Sequence, residues 1–196
     1  MSQGPEISPV TIDVSRLLDR SIASLYSYLV TRPTGRAVRL AIEGRLPGPG
    51  RISLSVIDLS QVLVLDFSCA DEVVAQLLLR YLRGDRPREA FFLFRGLGES
   101  HLDPIQAVLE RHRLAAVAEG DEGHAHLLGV HTHDELELWL RLEERGRIPG
   151  EEVLDWLGDG EARSSLELLV RRRLLVRSPS GDLLALSSLA PPGGTP

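Results

Sequence analysis

Two carboxylate–hydroxyl pairs stand eight positions apart in this chain, Asp58-Leu59-Ser60 and Asp66-Phe67-Ser68, and Cys69, Asp71 and Glu72 follow the second at once. Three acids within seven residues suit acid/base work or an acidic edge on which a protein partner docks. They equally suit the start of a helix, where negative charge is favoured. Ser68 is a candidate helix cap, with Asp71 three residues on completing a Ser-x-x-Asp box, or else a phosphate acceptor. Cys69 sits where helix N-terminal amides can lower a thiol pKa, yet the sequence places no histidine beside it, and a buried, inert thiol is the competing reading.

Elsewhere the chemistry is thinner. His124, His126, His131 and His133 fall close together, and the first pair shares one face if that stretch is a strand. Such pairs are weak candidates for a Zn²⁺ or Ni²⁺ site, because no cysteine lies near them; a solvent-facing strand and loop explain them as well. Arg32 and Arg36 flank Pro33-Thr34-Gly35 at a helix start, where an anion could bind or where the arginines simply pair with acids from elsewhere. No Gly-x-Gly-x-x-Gly or Gly-x-x-x-x-Gly-Lys phosphate cradle is present. No catalytic set and no cofactor is therefore expected.

These residues need elements to position them. Val10–Val14 reads as a short strand, and Leu17, Leu18, Ile22, Leu25, Tyr26 and Leu29 recur at helical spacing from Ser15 to about Val30. After Pro33, Thr34 caps a second helix carrying Val38, Ile42 and Leu46. Pro47-Gly48-Pro49-Gly50 is a linker. A strand follows at Ile52–Ile57 and a short apolar run at Val62–Leu65, then a helix burying Val73, Val74, Leu77, Leu78, Tyr81 and Leu82 that Gly84 stops. Ala90–Phe94 is a buried strand. Asp103-Pro104 opens a helix with Ile105, Val108 and Leu109 inward. Ala115–Ala118 and His124–Leu128 close a hairpin. The order implies an α/β domain whose sheet is covered by helices. After Gly129 come three short helices, with Leu136, Trp139 and Leu140, then Val153, Leu154 and Leu157, then Leu166 and Leu169 inward. A hairpin at 174–186 and a disordered Pro/Gly tail end the chain.

With 196 residues, 43% apolar and 26% charged, the chain has the makeup of an ordinary globular protein. No apolar run approaches the roughly 18–20 residues that cross a bilayer, and no signal-peptide pattern opens the sequence, so a cytoplasmic protein without membrane contact is expected. The net charge of −6 argues against generic coating of nucleic acid. All 22 basic residues are arginine, which GC-rich bacterial coding explains better than dedicated phosphate recognition.

The run Leu54 to Ala70, a strand ending in Asp-Leu-Ser and then Asp-Phe-Ser opening a helix, resembles the central signature of STAS domains, the sulfate-transporter and anti-sigma-factor-antagonist family. The resemblance covers about residues 51–129 and is specific over 57–78. It implies an STAS-like mixed sheet with packed helices that binds protein partners and is rarely catalytic. It also implies a serine, directly after the Asp, that a partner kinase phosphorylates. Here that position is Phe67, Ser68 matches the second serine, and Cys69 stands where glycine is usual. The likeness is thus to divergent STAS-like domains of unknown function.

Three helices and a hairpin in residues 130–190 look like a small α+β winged helix, whose third helix would enter a DNA groove. Arg163 and Ser164, with Arg177 at the wing, are the candidate DNA contacts. Residues 134–190 nevertheless carry eight arginines against twelve acids. The expected organisation is a helical segment at 1–50, an STAS-like domain at 51–129, a winged-helix-like domain at 130–190 and a tail at 191–196. The expected function is a non-enzymatic bacterial regulatory adaptor, itself a homodimer. Its protein partner, such as a histidine-kinase-like ATPase, docks at Asp66, Ser68, Asp71 and Glu72. The alternative is a winged-helix DNA-binding transcriptional regulator with an STAS-like sensory domain.

Overall fold

A computed structural model describes residues 7–14, 28–46, 52–82, 90–120, 123–158 and 160–192. The expected helix over 15–30 lies outside the described residues but for its end, where Tyr28–Leu29 is strand; the Gly84 stop, the 47–50 linker and the last four tail residues also lie outside.

Five strands form one mixed sheet: β1 (Ser8–Asp13), β3 (Ser53–Asp58), β5 (Ala90–Arg95), β6 (Ala115–Glu119) and β7 (Ala125–Gly129), adjacent in that order. The first four are parallel and β7 is antiparallel to β6, as the expected closing hairpin requires. A short parallel pair, β2 (Tyr28–Leu29) with β4 (Val64–Leu65), stands apart from it. The chain is α/β, as its sequence implies.

Strand periodicity explains the layering. Leu54 and Val56 of β3, Phe91 and Leu93 of β5, and Ala115 and Val117 of β6 point to one side. Ile57, Phe92, Phe94 and Ala116 point to the other. Both faces are covered, so β5 reads Ala-Phe-Phe-Leu-Phe with no polar alternation. One face carries α1 (Arg32–Arg45), α2 (67–82) and α3 (Glu99–His112). Over the other lie α4 (His133–Arg145), α5 (Val153–Leu157), α6 (Gly160–Arg171), α7 (Leu186–Leu189) and a three-stranded antiparallel sheet of β8 (Arg147–Ile148), β10 (Leu183–Ala185) and β9 (Leu175–Arg177). Leu138, Trp139, Trp156, Leu169 and Leu186 belong to the same apolar cluster as Ile52, Leu54 and Phe91 of the main sheet.

The three helices and the hairpin after Gly129 occur in the expected order, with β8 added as an unforeseen third strand. Two side chains expected inside are outside: Leu140 and Leu154 are exposed, while Leu138, Leu142 and Trp156 are buried instead. Helix α3 starts at Glu99, not at Asp103. The Gly98 amide donates to His101 Nδ1 at 3.1 Å, which closes the helix start and leaves Pro104 inside the helix. Among the described residues no helix is long and apolar enough to cross a membrane.

Candidate functional site

Strand β3 ends at Asp58, whose carboxylate accepts from the Ser60 amide at 2.9 Å and turns the chain. Gly96 makes this turn possible: its φ is +69°, and a Cβ there would lie 2.6 Å from the Ser60 nitrogen. The chain returns through β4 and enters α2 at Asp66.

Asp66 is the N-cap, where Ser68 was expected to be. Its Oδ1 accepts from the Cys69 amide at 2.7 Å and from the Ser68 hydroxyl at 2.9 Å, and its Oδ2 accepts from the Thr31 amide at 3.0 Å. An Asp two residues before Ser68 wins because only it has the extended backbone of a cap. Burial opposes ionisation of Asp66, but the two amides and the Ser68 hydroxyl outweigh it and hold the carboxyl below its ordinary range. Thr31 is the strained member: a β-branched residue at φ +81°. Its carbonyl accepts from Cys69 Sγ at 2.9 Å. Thr31, not Thr34, occupies the N-cap position of α1, without a side-chain capping bond: α1 begins at Arg32, with Pro33 in its first turn.

Behind this cap runs a line of charges. Arg32 reaches Asp71 at 2.6 Å and Glu72 at 3.0 Å. His112 Nε2 meets Asp71 Oδ1 at 2.6 Å, and Arg39 meets Glu72 at 3.2 Å and Glu43 at 2.7 Å. Arg80 closes the line on Glu43 at 2.9 Å. Consecutive helix residues point about 100° apart, so Asp71 serves α3 through His112 while Glu72 serves α1 through Arg39. The hydrogen bonding of 71–76 widens to a π turn there, a feature common at functional sites. Burial works against the Asp71 charge, yet Arg32 and His112 overcome it and lower its pKa.

These placements sort the expected site residues. Asp66 and Ser68 are half-buried at the first turn, whereas Asp71 and Glu72 are 5% and 8% exposed and spend their charge on Arg32, Arg39 and His112. The surface therefore presents part of Asp66 and Ser68, whereas the Asp71 and Glu72 carboxylates are withdrawn from it. Arg32 pairs with acids from α2, the plainer of the two readings of the Arg32–Arg36 segment. Burial pushes the Cys69 thiol up to about 12, and the neighbouring Asp66 charge adds to it, so the helix start does not activate this cysteine.

What surrounds the cap is apolar and open. Leu63 and Phe67 are 60% and 58% exposed, and Tyr28, Val30, Val64 and Leu102 are exposed too. Backbone contacts draw these segments together: Tyr28 pairs with Val64, the Asp66 amide bonds the Leu29 carbonyl, and the Ser100 hydroxyl donates to the Leu63 carbonyl. Phe67, singled out only as the residue replacing a serine, is the most prominent side chain of the first turn. Sequence reasoning missed Leu63, Arg39, Glu43 and His112. The Arg39–Glu43 spacing of four was the one signal available; nothing local announces His112.

The other candidates do not converge. His124, His126 and His133 are exposed and His131 is half-buried, and among the described residues no group of three His, Cys, Asp or Glu side chains could hold a metal ion. Arg163 and Ser164 are exposed on α6, but Arg177 is tied to Glu167 of that helix at 2.8 Å and Glu161 is exposed alongside. The chain matches no family model, no curated protein and no solved structure.

Proposed function

We propose that this chain is a non-enzymatic regulatory adaptor of the bacterial cytoplasm, with an STAS-like sheet-and-helix layer that docks a protein partner at the first turn of α2. The observation that carries the reading is the pair Leu63 and Phe67, each more than half exposed around a helix start that Asp66 and Thr31 hold rigid. Contiguous exposed apolar side chains rimmed by charge are the ordinary mark of a protein contact. The resemblance of 57–78 to the STAS signature points to the same turn. A high thiol pKa at Cys69 and acids already neutralised by arginines give no support to an enzyme. The winged-helix-like elements, acidic and packed on the sheet, serve in this reading as structural support and a second protein contact.

The test is an immobilised wild-type chain and its Phe67→Asp variant, each exposed to lysate of the source cells, with bound proteins quantified. A partner retained by the wild type and lost by Phe67→Asp is the expected result. Equal retention of every protein by the two chains defeats the proposal.

A further inference from the structure

We infer that the apolar face around Phe67 is covered by a second copy of this chain, in a two-fold homodimer; the inference rests on reading that face as a docking surface and names its occupant. The argument comes from the charges at its two ends. The first turn of α2 lies between α1 and α3 and contacts both. At the α1 end Arg36 is exposed and makes no ion pair among the described residues, and Arg32 beside it keeps half its side chain in solvent. At the α3 end Glu99 and Asp103 are exposed and make none either. The exposed Phe67 belongs to the helix start between the two, Leu63 and Val64 to the segment that leads into it, and Leu102 to α3 itself.

A uniformly acidic partner would suit Arg36 and be repelled by Glu99 and Asp103; a basic one would meet the reverse. A surface with apolar centre and opposite signs at its ends is complementary to itself after a half-turn. Phe67 then stacks near the axis against its symmetry mate, and each Arg36 faces the acids of the other α3. Since any further partner would need the same residues, dimer dissociation and partner docking compete by mass action.

Sedimentation velocity over a dilution series tests this. The wild type is expected to dissociate reversibly. Phe67→Glu and Leu63→Glu should each raise the dissociation constant by at least about tenfold, with unchanged circular dichroism because both side chains are exposed. Arg36→Glu should weaken the dimer by a few-fold, and adding Asp103→Arg to it should restore association. A wild type that is monomeric at every concentration overturns the inference, as does a dimer indifferent to both glutamates. A photo-crosslinking side chain at position 67, used in the source cells, separates the two readings. A product of two copies supports the dimer. A product with a different protein alone overturns the dimer and leaves the docking surface standing, and no product of any kind overturns both.

Discussion

Asp66 does three jobs with one carboxylate: it caps α2, fixes the strained Thr31 amide and orients Ser68. Replacing it with Ala leaves two backbone donors without a partner, and the expected loss is about 1–3 kcal/mol, read as a lower urea midpoint. The acid limb follows from the sign of the shifts. Asp66 and Asp71 both have folded pKa values below their unfolded ones. Their contribution is therefore complete above the unfolded pKa and is lost as pH falls through the folded values. Stability measured below about pH 4 should fall steeply in the wild type and less steeply in Asp66→Asn. Glu143 has the opposite sign. Burial raises its pKa, the Ser187 hydroxyl only partly compensates, and its Oε1 has no hydrogen-bond partner. The folded state thus favours protonated Glu143, and stability declines as pH rises through that raised pKa. Glu143→Gln is expected to raise the melting temperature at pH 7 and to change it little at low pH, as calorimetry at the two values would show.

Between elements, α1 approaches α2 closely beside the site. A Cβ at Gly35 would lie 2.8 Å from the Cys69 Cα, so backbone would have to move. Gly35→Ala should cost about 1–3 kcal/mol and loosen the Thr31–Asp66 clamp. Gly44, in the same helix with nothing within 4 Å, is the internal control. Gly44→Ala should stabilise by roughly 0.5–1 kcal/mol, and chemical denaturation of both variants checks the pair. The contrast also marks what was readable beforehand. The run at 90–94 is legible because burial on both faces leaves an unbroken hydrophobic signature, whereas 52–57, the hairpin and the helix over Val73–Leu82 are legible from the spacing of their apolar residues. Element starts are not. Residue type points to Ser68 and Asp103 as caps, while the helices start at Asp66 and Gly98, because a cap is decided by backbone conformation that residue type alone does not set. The charge line was illegible for another reason: Arg32, Asp71 and His112 are joined by tertiary packing across about forty residues at each step, and no local spacing encodes it.

At the scale of the whole molecule, the decisive fact is that the central strands β3, β5 and β6 are covered on both faces. The helices α1–α3 cover one side, and α4–α7 with their three-stranded sheet cover the other. Arg172 meets Glu135 and the Val130 carbonyl, Arg173 donates to the Ala90 carbonyl, and Arg95 pairs with Glu119 while reaching the Pro191 carbonyl. Ion pairs and backbone bonds thus stitch the C-terminal elements to β5 and to the link after β7. Removing everything beyond residue 130 would uncover Ile52, Leu54, Val56, Phe91, Leu93 and Val117 together, an apolar area no monomer tolerates in water. The fragment is expected to aggregate or to bind a hydrophobic dye strongly. A milder form of the same argument uses Trp139, which is 1% exposed and donates from its indole to the Leu174 carbonyl at 3.3 Å. Trp139→Ala should cost about 3–5 kcal/mol. Because both halves share the sheet, it should lower a single cooperative transition, seen at the same midpoint by hydrogen exchange in β5 and in α6. Two separate transitions, with β5 untouched, would show that the C-terminal elements fold on their own and merely lean on the sheet.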